Sequence, residues 1–159
     1  MVSCSMGVTH TLINQFLPIM RPYIQLIKDV RPDGNFGFRA IASMMGFGED
    51  GWRQVRRDML NELLSHRTLY EGMYWEIGRY DELLQRLDYF EDSNAGIEKW
   101  MTIPDMGHIV ASCYNVVLIS LSSSICLTFL PLHSVPEPTV SRRCITLGFV
   151  NESHFVQVS

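Results

Sequence analysis

Asp33-Gly34-Asn35-Phe36-Gly37-Phe38-Arg39-Ala40 is the stretch on which the fold turns. Pro32-Asp33-Gly34-Asn35 is a dense turn signal. Behind it, Phe38, Ile41, Ala42 and Met45 recur at helical spacing, and Gly46 and Gly48 close the run. A glycine-containing loop therefore opens directly into an apolar helix over residues 36–45. At such a start, free backbone N–H groups and the helix dipole favour negative charge. A thiol seated there ionises readily, and an oxyanion formed beside it finds donors ready. The same residues also describe an ordinary capped helix, and this segment alone does not separate the two readings.

The second candidate is His154, in Asn151-Glu152-Ser153-His154-Phe155-Val156. It opens the last of four segments that read as strands: 116–121, 125–130, 144–150 and 154–158. A histidine among apolar strand residues is commonly structural. Paired with an early turn-to-helix seat, it matches the layout of cysteine hydrolases, in which nucleophile and base meet in space. Between these two points the pattern is helical. Thr9 is expected to cap a helix carrying Ile13, Phe16, Leu17 and Met20 on one face and broken at Pro18. Residues 23–30 read as an extended or irregular approach to the turn. Asp50 opens a helix to about 64 with Trp52, Val55, Met59, Leu60 and Leu63 inward. Another, over 79–90, buries Leu83, Leu84, Leu87 and Phe90. Pro104 suits the first turn of a further helix striped by Met106, Ile109, Val110 and Cys113. Helices first and strands last give an α+β arrangement, helices packed on a small sheet.

The chain has 159 residues, enough for one domain with a real core. Its formal charge of −4 gives no electrostatic reason to expect nucleic acid as a partner, since binding the phosphate backbone needs a basic face. The local cluster Arg53, Arg56 and Arg57 sits among Glu49, Asp50, Asp58 and Glu62 and reads as a solvated helix face. Cys4, Cys113, Cys126 and Cys144 form no C-x-x-C pair, so reduced thiols are expected rather than a disulfide framework or a metal site. Residues 1–7 read as a loose terminus, and no signal peptide is visible. The apolar run 116–132 is broken by Ser122, Ser123 and Ser124 and carries Pro131, which fits two paired strands better than a membrane span. Residues 133–141, with Pro136 and Pro138, read as a surface loop. His10, His66 and His133 stand isolated, and His108 reads as a helix residue, partly exposed or hydrogen-bonded. Trp52, Trp75 and Trp100 read as core or semi-buried anchors.

The segment from Asp33 to Ala40 resembles the D-G-N-C-x-[FY]-R-[AS] signature of the ovarian tumour (OTU) family of cysteine proteases, and His154-Phe155 resembles that family's C-terminal histidine–aromatic pair. Trp100-Met101-Thr102-Ile103-Pro104-Asp105-Met106-Gly107, Tyr114-Asn115-Val116-Val117 and His154-Phe155-Val156-Gln157-Val158 are similar to plant OTU-like chains, some of them associated with Mutator-like transposons. The similarity runs over about residues 24–158. It implies a papain-like OTU fold with a mostly antiparallel sheet. It also implies a cysteine that attacks the isopeptide carbonyl at the ubiquitin C-terminus, with a histidine as base and then acid. Carried over, His154 is the base, and the loop Asp33, Gly34 and Asn35 with Gly37 surrounds the oxyanion site. Position 36 is the nucleophile seat.

Phe36 has nothing to ionise there, so the chain as written is expected not to catalyse. Cys113 and Cys126, read as buried, do not replace the thiol. Val156 stands where the family often places an Asp or Asn to orient the histidine; Asp33, Asn115 and Asn151 are the candidates for that task. The resemblance implies a pseudo-deubiquitinase that keeps ubiquitin or a ubiquitin-like protein as partner. Two alternatives stand beside it. One is an active hydrolase in relatives that carry cysteine at this position, with Phe36 a substitution. The other is a non-catalytic transposon-derived remnant. The expected organisation is an N-terminal extension with a short helix over 1–22 and the OTU-like domain over 23–159. The expected protein is monomeric, cytoplasmic or nuclear, without membrane or nucleic-acid contact, cofactor or metal.

Overall fold

In the computed structural model, which describes Thr9, residues 11–135 and residues 141–159, five helices from Phe36 onward pack on one five-stranded sheet. The helices are α1 (Phe36–Met44), α2 (Trp52–Ser65), α3 (Arg67–Met73), α4 (Arg79–Leu87) and α5 (Gly107–Tyr114). The strands are β1 (Ile27–Lys28), β2 (Val117–Leu121), β3 (Cys126–Phe129), β4 (Cys144–Val150) and β5 (His154–Val158), in spatial order β1-β5-β4-β2-β3. All neighbours are antiparallel except β2 and β4, so the sheet is mixed but mostly antiparallel. The run 116–132 is a β2–β3 hairpin, with Leu121 opposite Cys126, and no described helix is long and apolar enough to cross a membrane.

Strand alternation builds two cores. Leu118, Ile145, Leu147 and Phe155 face the helices, and α1 lies against β5 and α2 at the centre. Every residue of α1 except Ser43 is buried. The opposite face presents Leu121, Val150, Val156 and Val158, which are covered by Phe16 and Ile24. A Cβ on Gly148 would stand 2.6 Å from the Phe16 ring, so the ring lies directly on the strand backbone.

Several elements differ from expectation. Thr9 is itself helical rather than a cap, and its hydroxyl accepts the Ile27 N–H at 2.8 Å, which fastens the N-terminal turn to β1. The helical stretch gives way to a 3-10 turn over Ile13–Gln15, ahead of Pro18. The extended approach contains β1, an edge strand paired with β5. Asp50 lies in a 3-10 turn, Glu49–Gly51, that precedes α2. Helix α3 was not anticipated, because only Tyr70 in it is buried and no apolar stripe announces it. Helix α4 stops at Leu87, short of Phe90. Pro104 lies in the turn before α5 rather than in its first turn, and the helix starts at Gly107. Trp75 is no anchor: it is 89% exposed. Cys126 is exposed, against the expectation of burial. Met1 to Gly7, Cys4, His10, Pro136 and Pro138 lie outside the described residues.

Candidate active site

The turn before α1 is built for a close approach. Gly34 has φ +82°, and a Cβ there would meet the Ala95 carbonyl oxygen at 2.3 Å, so both conformation and space demand glycine. Asp33 fixes the loop from one side. Its Oδ1 accepts the Asn35 N–H at 3.0 Å, and its Oδ2 accepts Arg39 Nη2 at 2.6 Å. Burial raises the Asp33 pKa, but the Arg39 and Asn35 hydrogen bonds and the Arg39 charge outweigh it and hold the carboxyl below its ordinary value. Asn35 is fully buried, and its Oδ1 accepts Arg56 Nε at 3.1 Å and Nη2 at 2.8 Å. Asn35 Nδ2 is a buried donor that meets no acceptor among the described residues.

Arg56 corrects the sequence reading outright. It is wholly buried rather than part of a solvated face, and it also donates to the carbonyls of Arg86 and Lys99. Its guanidinium lies 3.9 Å from the Phe38 ring centroid. Burial pushes its pKa down to about 9, which leaves it charged at neutral pH. A buried cation thus holds the residue immediately before position 36.

Phe36 is the first residue of α1 and is 4% exposed. Its ring packs edge-on against Trp100 and against His154, each with centroids 5.0 Å apart, and tilted against Phe155 at 6.2 Å. Next to it, Gly37 lets Met101 close in: a Cβ there would meet Met101 Sδ at 2.8 Å. His154 opens β5, and its Nε2 donates to Asp29 Oδ1 at 2.7 Å. That bond fixes the tautomer with Nδ1 as the basic nitrogen. The two ends of the chain therefore meet: position 36, at a helix N-terminus with free N–H groups, touches a histidine oriented by a carboxylate.

None of the residues expected to orient the histidine does so. Asp33 is engaged with Arg39, Asn115 accepts Ser134 and Arg142, and Asn151 accepts Gln15. Asp29 takes the task from the end of β1. Sequence reasoning passed over it because strand pairing, not spacing, brings β1 alongside β5. Cys113 does not approach Phe36's role: it lies on α5, and burial first, then the charges of Asp58 and Glu62, push its thiol up to about 12.

A cleft of about 990 Å³ ends at this point. Phe36, Trp100, Met101, Leu127, Phe149 and Phe155 give it an apolar lining. Exposed Ile97 and Ile125 also line it, together with the carboxylate residues Glu98 and Glu152. It is large enough for an extended peptide.

No protein-family model matches the chain, and no curated protein matches its sequence. Among solved structures the OTU domain of OTUD1 is similar, with TM-score 0.60 and 18% identity over 84% of each chain. The OTU domain protease from Qalyub virus matches with TM-score 0.60 and 13% identity, over 83% of this chain and 82% of that one. The Hazara virus OTU bound to ubiquitin matches with TM-score 0.56 and 11% identity, over 84% of this chain and 79% of that one. At these identities the likeness establishes the fold: helices on a small mixed sheet, as in OTU domains.

Proposed function

We propose that this chain is an OTU-type deubiquitinase domain that has lost its nucleophile and serves as a binding module for ubiquitin or a ubiquitin-like protein. The observation that carries the reading is Phe36, a phenyl ring in the first position of α1 with its centroid 5.0 Å from that of His154. Around it stand the parts of a cysteine isopeptidase. His154 is the base, Asp29 orients it, and the loop from Asp33 to Gly37 surrounds the oxyanion position. With a thiol at position 36, His154 would take its proton and the thiolate would attack the isopeptide carbonyl. The imidazolium would then protonate the leaving lysine amine. A phenyl ring can do none of this.

What supports binding is the cleft. Its apolar lining and its carboxylates Glu98 and Glu152 suit an extended tail that is both apolar and basic. The ubiquitin-bound Hazara virus OTU has the same fold. The net charge of −4 gives no electrostatic reason to expect nucleic acid as the partner.

The test is incubation with ubiquitin carrying a C-terminal electrophile, beside calorimetry with unmodified mono-ubiquitin and ubiquitin chains. Saturable binding without covalent capture is the expected result. Covalent capture would overturn the pseudoenzyme reading. No binding to any ubiquitin form would overturn the binding-module reading and favour a non-catalytic remnant.

A further inference from the structure

His66 and His133, isolated in the sequence, come together over Glu62. Glu62 lies on α2, and His66 follows it by one helical turn, immediately past the end of that helix. His133 arrives from the segment after β3, and its ring stacks on that of His66 with centroids 3.9 Å apart and planes 10° apart. His133 Nε2 lies 2.5 Å and His66 Nδ1 3.5 Å from Glu62 Oε1. All three potential donor atoms fall within 4.8 Å of one another. None of the three residues lines the cleft beside Phe36.

Glu62 is the unusual member. It is 9% exposed, and among the described residues no lysine or arginine pairs with it. A buried carboxylate needs a cation or a full set of donors. Here its partners are the Tyr70 hydroxyl, donating to Oε1 at 2.8 Å, and the two imidazoles that face the same oxygen. A carboxylate, two imidazoles and a hydroxyl braced behind the carboxylate make a donor set that a borderline-soft divalent cation accepts.

We infer that Glu62, His66 and His133 form a binding site for a divalent transition-metal ion of the zinc class, with water completing the coordination. Donor atoms around a tetrahedral zinc stand roughly 3.3 Å apart, given metal–ligand bonds of about 2.0–2.1 Å. The His66–Glu62 separation of 3.5 Å already matches this, and His66 Nδ1 must give up its 3.3 Å contact with the Glu62 backbone carbonyl to bind the ion. The His133–Glu62 pair must open by less than about an ångström, and the His133 ring must turn out of the parallel stack to aim its lone pair at the ion. The exposure of His133 leaves room for that rotation. The bound ion would tie the segment after β3 to α2. This site is independent of the reading proposed for Phe36 and His154.

The experiment titrates ZnCl2 into the full chain while following thermal unfolding, calorimetric stoichiometry and the histidine ring resonances. His66→Ala, His133→Ala and the double variant run in parallel, each checked for folding by circular dichroism. The expected result is one equivalent bound, with shifts of the His66 and His133 rings. Tm should rise by roughly 5–10 °C when free zinc is about 100-fold above Kd. The rise and the ring shifts should vanish in the folded double variant. No ring shift in the wild type, or a rise in Tm that survives in the double variant, would overturn the site; the second outcome would place zinc elsewhere on the chain.

Discussion

Replacing Asn35 with alanine tests whether the buried cation at Arg56 holds the turn before position 36. The change removes the acceptor of two hydrogen bonds, Nε at 3.1 Å and Nη2 at 2.8 Å, both to Asn35 Oδ1. Bonds to a charged group are worth about 1.5–3 kcal/mol each, and two sharing one oxygen do not add fully. Arg56 keeps the carbonyls of Arg86 and Lys99, so its charge is under-paired rather than stranded. Losing two of its four hydrogen bonds in a fully buried site should cost about 2–4 kcal/mol, or roughly 5–15 °C in Tm for a domain of this length. Arg56→Met keeps the stem and removes the charge, leaving only neutral acceptors unpaired, and should cost about 1–3 kcal/mol. In the double variant neither penalty applies in full, so the two changes should couple by about 1–3 kcal/mol. Urea unfolding of the four proteins at neutral pH measures this. A cost for Asn35→Ala below about 0.5 kcal/mol, or additivity within about 0.5 kcal/mol, would refute the account of this turn.

Three further outcomes follow from the same geometry. Gly34→Ala should destabilise by more than about 2 kcal/mol, since it adds left-handed strain to a 2.3 Å clash with the Ala95 carbonyl; a loss under about 1 kcal/mol in chemical denaturation would contradict it. The folded-state pKa of Asp33 is depressed, so its contribution is present above the ordinary carboxylate value of about 4 and lost as pH falls through the folded value. Asp33→Asn should therefore be less stable than wild type at neutral pH and flatter between neutral and strongly acid pH, and parallel pH–stability curves would refute this. In a Phe36→Cys background, Asp29→Asn should lower kcat/KM roughly 10–100-fold and shift its pH profile, less than loss of the base itself, about 10²–10⁴-fold; an unchanged rate would remove Asp29 from the site.

The sequence showed the frame of this site more clearly than its supports. The Asp33–Asn35 turn, the helix beginning at Phe36 and the strand beginning at His154 were legible because turn chemistry and period-2 alternation are local signals. Strands Cys144–Val150 and His154–Val158 matched to the residue, since their alternation divides cleanly between two cores. Arg56 was read as solvated because neighbouring carboxylates suggested a charged face, whereas the guanidinium turns inward to carbonyls no sequence pattern marks. Asp29 and the pair His66 and His133 were invisible for another reason. Their partners are brought by strand pairing and by the return of the chain after β3, neither of which leaves a trace in spacing.

The most direct measurement is release of a fluorophore from the ubiquitin C-terminus by the chain as written, by Phe36→Cys, and by Phe36→Cys/His154→Ala. Phe36 fills the site against Trp100, His154 and Phe155, so the substitution leaves a void costing about 1–3 kcal/mol, lower than for a sealed core because it opens into the cleft. The folded Phe36→Cys protein should therefore turn over slowly but measurably, and the other two should give no release above buffer. Release by the unmodified chain, or none by folded Phe36→Cys, would contradict the claim that position 36 is an intact nucleophile seat occupied by a phenyl ring.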